Sequence, residues 1–297
     1  MTDTDRSALD RLNAAAPLLF LALWSSSYIG TRVGLRHMSP LLFVAVRMTF
    51  AAGLLLAFML LRRRPWGMRP AAWMHCAVAG VLTQAILLMT AHVAMVHTEA
   101  APIALIQTLN PLLSAFLAWP LLGEKLRPAQ IAGLLLGFAG VLLILGRAAL
   151  SSRTEFAELL GATAGIMTLV GGTLYYRRFC REVPPMSGAT VQALAAASVC
   201  ALSAWALETP RSDWAFGALA SIGWNAVVVT IGGMGLYFMM LSRGSAARAT
   251  VNFYLVPGVT SVLTWFLLGE RLTPLTLVGL AVSSVGCWLV GRRAAAV

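Results

Sequence analysis

The chain has 297 residues, of which 59% are hydrophobic and only 11% charged, under half the roughly 25% of a soluble domain. That balance excludes a soluble globular protein and places the chain in a bilayer as a polytopic helical protein. The net charge of +11 does not indicate a nucleic-acid partner, because the basic residues sit between apolar runs, where they set membrane orientation.

Residues 1–13 are polar, with Asp3, Asp5 and Asp10 against Arg6 and Arg11. They lack the basic start, short apolar core and small-residue cleavage site of a signal peptide, so the first apolar segment is expected to be retained. Ten apolar segments follow, at 16–35, 40–61, 71–95, 99–122, 128–147, 158–179, 186–207, 214–241, 247–268 and 273–291. Their lengths are near the roughly 20 residues that carry a helix across about 30 Å of hydrocarbon. With both termini cytoplasmic, the cytoplasmic segments hold 15 Lys and Arg and the opposite segments 6. This is the bias of the positive-inside rule, and it predicts a multi-pass protein of the inner membrane.

The chain also repeats itself. Residues 101–147 and 247–293 align without a gap at an offset of 146. Pro111 falls on Pro257, Trp119 on Trp265, and Leu121-Leu122-Gly123-Glu124 on Leu267-Leu268-Gly269-Glu270. Pro128 falls on Pro274, and Gly133 and Gly140 on Gly279 and Gly286. An internal repeat of this kind governs the fold reading. It predicts two units, 1–150 and 151–297, with five spans each. An odd number of spans makes the second unit cross the membrane in the opposite sense to the first. Secondary transporters use this plan, with the substrate site between the halves near the midplane. The expected fold is all-α, ten transmembrane helices as two inverted five-helix repeats around a central cavity.

Leu23-Trp24-Ser25-Ser26-Ser27-Tyr28, Val46-Arg47-Met48 and the doubled Pro…Leu-Leu-Gly-Glu-basic-Leu-x-Pro resemble the EamA branch of the drug/metabolite transporter superfamily. The resemblance covers essentially the whole chain. It implies a ten-helix bundle that moves small metabolites, commonly amino acids, outward across a bacterial inner membrane. The chain also resembles amino-acid exporters of the YddG kind.

Polar residues inside the apolar runs mark candidate substrate faces. In the fourth span Gln107, Asn110, Pro111 and Ser114 recur at i, i+3, i+4 and i+7, one stripe on an otherwise apolar helix. Amides in hydrocarbon need partners or water, so the stripe faces inward, toward neighbouring helices or a cavity. The matching stretch of the ninth span carries Asn252, Phe253 and Pro257. Pro111 and Pro257 each remove a helix hydrogen bond, which makes each a hinge candidate or a static kink. The first span offers Trp24, Ser27, Tyr28 and Thr31 on one face. The offset pairs Gln84 with Thr230, Leu88 with Met234 and Ala91 with Tyr237, a mixed face suited to an amphipathic solute. Thr168 and Tyr175 add to it from the sixth span. His92 reads as a buried hydrogen-bonded imidazole, with a proton relay as the other option. Arg47 is the one basic residue well inside a span, and needs a partner or a wet surface there. Structural anchoring is its first reading and attraction of a substrate carboxylate the second.

All eleven acidic residues fall in termini, loops or span ends. No carboxylate sits at mid-membrane to carry a proton or hold a cationic drug. Glu124 and Glu270 begin Gly-Glu-basic turns and are expected to cap the next helix or pair locally. Cys76, Cys180, Cys200 and Cys287 stand singly in or beside apolar runs, without metal-ligand spacing, as small buried hydrophobes. No catalytic grouping, metal site or cofactor is expected. The expected function is facilitative export of neutral, including aromatic, amino acids and similar amphipathic metabolites by alternating access. The alternative is a proton-coupled drug/metabolite antiporter. The expected partners are the solute and the lipid bilayer, with the protein a monomer or homodimer.

Overall fold

The computed structural model describes residues 3–110, 113, 117, 128–151, 153–233, 236, 246–270 and 273–291. They form α1 (Asp3–Leu35), α2 (Pro40–Leu61), α3 (Pro70–His97), α4 (Ala100–Gln107), α5 (Pro128–Ser151), α6 (Arg153–Phe179) and α7 (Pro185–Leu207). After these come α8 (Phe216–Gly223, continuing through Trp224–Gly233), α9 (Ala246–Leu268) and α10 (Pro274–Gly291). Prolines open α2, α3, α5, α7 and α10. At a first helical position the fixed φ is already helical and the missing N–H would have had no partner. Among the described residues, Ala15–Leu35, α2, α3, α6 and α7 are long and apolar enough to cross a bilayer. The helix of α1 begins well before its apolar run, at Asp3 rather than near residue 16.

The helices pack in a scheme that survives exchange of the two halves. α2 lies against α7 and α5 against α10, while α3 lies against α6 as α1 lies against α8. Glycines permit the closest crossing. A Cβ on Gly140 would stand 2.7 Å from the Gly279 carbonyl oxygen, and one on Gly286 would stand 2.6 Å from that of Gly133. Between them the Ser283 hydroxyl donates to the Gly137 carbonyl at 3.3 Å. The index falls along α10 as it rises along α5, so the two helices run antiparallel. Shifting each residue by the offset of 146 exchanges Gly133–Gly286 with Gly140–Gly279. Backbone contact this close needs hydrogen in place of a side chain.

Two helices leave regular α geometry. α3 widens to a π turn at Val81–Ala85 and α8 at Trp224–Gly233, and the offset superposes these stretches. The Thr230 hydroxyl donates at 2.8 Å to the Asn225 carbonyl five residues back, a bond that suits the wider turn. Such turns concentrate at functional sites.

Long-range contacts define two ends of the bundle. At one, His37 meets Asp213 at 2.8 Å, and Met38 pairs with Ser212 through the backbone. The α2 N-terminus lies there too. Ser39 does not cap its own helix; its hydroxyl donates to Glu208 at 2.8 Å. Glu208 in turn accepts from the Leu41 and Leu42 N–H groups at 3.2 and 2.7 Å. A carboxylate there satisfies orphan donors and complements the helix dipole. At the other end, Trp66 packs on Trp73 at 4.8 Å between centroids. The Cys76 and Cys180 sulfurs lie 3.6 Å apart, two thiols expected to stand singly.

Candidate functional site

α1 carries a polar face into the centre of the bundle. Ser27 donates to the Asn225 side-chain oxygen at 2.7 Å, and the Asn225 amide donates to the Ser221 carbonyl at 3.0 Å. Asn225 is fully buried. Next to Ser27 in the chain, the Tyr28 hydroxyl is buried without a hydrogen-bond partner among the described residues. Thr31, also buried, stands 3.5 Å from Nε2 of His92. Nδ1 of His92 lies 2.7 Å from the Leu88 carbonyl, to which it can only donate, so Nε2 of a neutral ring is the acceptor for Thr31. Trp24 is half-buried against the apolar core, with its ring 5.4 Å from that of Phe20 and close to Gly233 of α8. Trp24, Ser27, Tyr28 and His92 thus share one seam between α1, α3 and α8.

The remaining candidates are distributed more widely. Gln84 lies in the π turn of α3 and Thr230 in that of α8, both half-buried. Gln107 and Asn110 are half-buried at and just beyond the end of α4. Thr168 donates to the Gly165 carbonyl at 2.8 Å within its own helix. Tyr175 bonds Nδ1 of His75 at 2.7 Å and packs with Phe179 at the thiol end, apart from the seam. Pro257 is inside α9. Pro111, Met234 and Tyr237, and the side chains of Asn252 and Phe253, lie outside the described residues.

Glu270 departs from the expected local role. Thr273 caps α10, its hydroxyl accepting from the Thr276 N–H at 3.2 Å. The buried Glu270 carboxylate instead takes Nε of Arg32 at 2.8 Å on one oxygen and the Ala100 N–H at 3.1 Å on the other. Arg32 also donates to the Met95 carbonyl at 2.5 Å. One carboxylate thereby ties the ends of α1, α3, α4 and α9. A recess of about 210 Å³, lined by Arg36, Val96 and Leu268 among others, opens beside it.

Nearby, His97 meets Glu158 at 2.6 Å. The His37 imidazole and the Ala215 N–H hold the Asp213 carboxyl below its ordinary range. At the opposite end, burial pushes the Cys180 thiol up, which suits an inert packing thiol. Among the described residues no cluster of three His, Cys, Asp or Glu side chains could hold a metal ion. Sequence reasoning missed Asn225. Its signal was an amide in an apolar run, but the offset places it opposite Ala79, so no matched polar pair marks it.

The geometry is that of a helical bundle with a polar seam beneath one pinned end. The profile of the EamA-like transporter family matches residues 14–146 and again 156–292. The chain belongs to the EamA-like transporter family. A "Probable terminal-alkyne amino-acid exporter" from Streptantibioticus cattleyicolor is 28% identical, over 94% of this chain and 93% of that protein. An "Uncharacterized inner membrane transporter YedA" from Escherichia coli K12 is also 28% identical, over 88% and 84%. A solved crystal structure superposes with a TM-score of 0.65, covering 95% of this chain and 98% of its own at 22% identity. This last likeness shows the shared fold of this EamA-like membrane transporter.

Proposed function

We propose that this EamA-like transporter exports neutral amino acids, aromatic ones included, and similar amphipathic metabolites across a bacterial inner membrane. Transport is facilitative and proceeds by alternating access between two inverted halves, 1–150 and 151–297. Both termini face the cytoplasm and the Glu270 end faces the periplasm. The observation that carries this reading is an uncharged polar seam under a pinned end: Ser27–Asn225 and Thr31–His92 beneath Arg32–Glu270. Inversion is supported by the antiparallel α5–α10 crossing and by π turns at matching places in α3 and α8. The amino-acid substrate class is supported by the relative named as an exporter of such a compound. Pro111 and Pro257 are the hinges of the swing.

The test is uptake of labelled aromatic amino acids, Met, Thr and a charged control into proteoliposomes, with and without a pH gradient. Neutral amino acids enter without the gradient, entry is lost in Trp24→Ala and Gln107→Ala, and Pro257→Ala slows it. Uptake that needs the gradient would replace this reading with proton-coupled antiport and make His92 the first group to substitute. Absence of all amino-acid uptake would remove the substrate class.

A further inference from the structure

Arg47 sits in α2, seven residues after Pro40, so it lies about 10 Å along the helix from the Glu270 end at 1.5 Å per residue. It is 8% exposed. Its neighbour one turn earlier, Phe43, packs on the His92 ring at 5.7 Å between centroids. Arg47 follows Phe43 by four residues and so shares its face of α2. The guanidinium therefore faces the α1–α3 side of α2, where Thr31 and Tyr28 stand.

A structural arginine at this depth would show carbonyl or carboxylate acceptors, since a lone buried cation destabilises rather than anchors. Among the described residues Arg47 has neither a hydrogen-bond acceptor nor an ion-pair partner. The sequence places every carboxylate of the chain in termini, loops or span ends. The Tyr28 hydroxyl beside the seam is likewise without an acceptor. Among the described residues this region holds no anion for Arg47, and the one it calls for comes from outside the chain.

We infer that Arg47 is the specificity residue for the substrate's carboxylate, which it binds beneath the Glu270 end with help from the Tyr28 hydroxyl. The inference rests on the export function proposed above and narrows it to carboxylate-bearing solutes. The acceptor Nε2 of His92 lies on the same side, facing Thr31. A donor-rich group beside the Thr31 hydroxyl, whose oxygen can still accept while its proton goes to Nε2, matches the head group of an α-amino acid, with its ammonium turned toward that oxygen. A guanidinium suits this task because its fork of N–H donors fits a carboxylate.

The test uses purified wild-type protein, Arg47→Lys, Arg47→Gln and Arg47→Met in two measurements. The first is proteoliposome counterflow of phenylalanine against phenylalaninamide and phenethylamine. The wild type favours the amino acid, and Arg47→Gln lowers its transport by about 10- to 100-fold, the worth of a charge-assisted hydrogen-bond pair. The same variant keeps or gains transport of the amide, and Arg47→Lys falls between. An unchanged ratio of amino acid to amide in Arg47→Gln would overturn the assignment.

The second measurement does not require transport. Phenylalanine, and separately 3-phenylpropionate, raise the melting temperature of the detergent-solubilised wild type but not that of Arg47→Met. Arg47→Met is the apolar variant of similar volume, most able to keep the fold. If neither carboxylate shifts the wild type, or both shift Arg47→Met equally, the inference falls whatever the liposomes show. If transport of amino acids is absent but the shift is present and depends on Arg47, the site stands and the export reading fails.

Discussion

At the Glu270 end, carboxylates join helices far apart in sequence: Glu270 to Arg32, Glu158 to His97, Asp213 to His37 and Glu208 to the start of α2. At the opposite end the joining groups are apolar or neutral. Trp66 lies on Trp73, His75 on Phe179 and Tyr175, and the Cys76 sulfur on that of Cys180. The one ion pair there among the described residues, Arg69–Glu182, is 3.9 Å long and exposed, a geometry that contributes little. A charged staple has two stable conditions, paired in a dry interface or separated and hydrated, whereas ring packing weakens continuously as surfaces part. If the halves swing as proposed, the pinned end is the one that breaks and remakes as a unit. The arginines of the other end, such as Arg62, Arg63 and Arg64, are exposed.

Removing Glu270 breaks this contrast with the largest effect. Glu270→Gln leaves Arg32 without its partner in a site where the carboxylate side chain is 6% and the Arg32 side chain 25% exposed. Breaking a buried pair costs about 3–5 kcal/mol, and the partial exposure of Arg32 brings the expectation to about 2–3 kcal/mol. Thermal unfolding of the solubilised protein measures it. Arg32→Met combined with Glu270→Gln recovers most of the loss, because neither charge is then stranded. In whole cells a cysteine at Leu268, beside the recess, reacts faster with an impermeant thiol reagent in the Glu270→Gln background. Equal rates in both backgrounds would mean that the pair does not pin this end.

The mirror experiment at the other end expects a smaller response. Cys76→Ala with Cys180→Ala deletes two sulfurs joined only by a weak S–H···S hydrogen bond, Cys76 donating at 3.6 Å. Such a loss is about 1 kcal/mol in total if the site relaxes, and transport is unchanged. A destabilisation equal to that of Glu270→Gln would erase the difference between the ends.

Among the described residues the helices fall at the apolar runs read from the sequence, five of them long and apolar enough to cross a bilayer, because bilayer thickness sets helix length and glycine and proline punctuate it. The α5–α10 contact was foreshadowed by Gly133, Gly140, Gly279 and Gly286, since small residues permit close approach. What links Glu270 to Arg32 was not legible. The two are 238 residues apart, and a Gly-Glu turn looks the same whether its carboxylate caps its own helix or crosses the bundle. The π turns left no mark in the sequence either, because one extra residue in an apolar run does not alter composition. Polar residues such as Ser27 and His92 announced an inward face, but their partners, Asn225 and Thr31, depend on how helices rotate against one another. That rotation is set by the packing of the whole bundle.

The finest discrimination between the ends comes from pH, through Asp213. Its carboxyl is held below the ordinary value of 3.8, first by the His37 hydrogen bond and then by the Ala215 N–H. A depressed folded-state value means that the ionised form is what folding favours. The contribution is therefore complete above 3.8 and fades as pH falls through the lower folded value. Asp213 is exposed, so the change stays local to the connection between α7 and α8. Hydrogen exchange of the peptide spanning 208–217, corrected for intrinsic rates, reads it directly. Protection is flat from neutral pH to about 4, near the ordinary aspartate value, and declines below it; in Asp213→Asn the dependence disappears. The thiol end, read through the peptide around Cys180, shows no step over the same range. A step at both ends, or at neither, would show that the carboxylates do not set the Glu270 end apart.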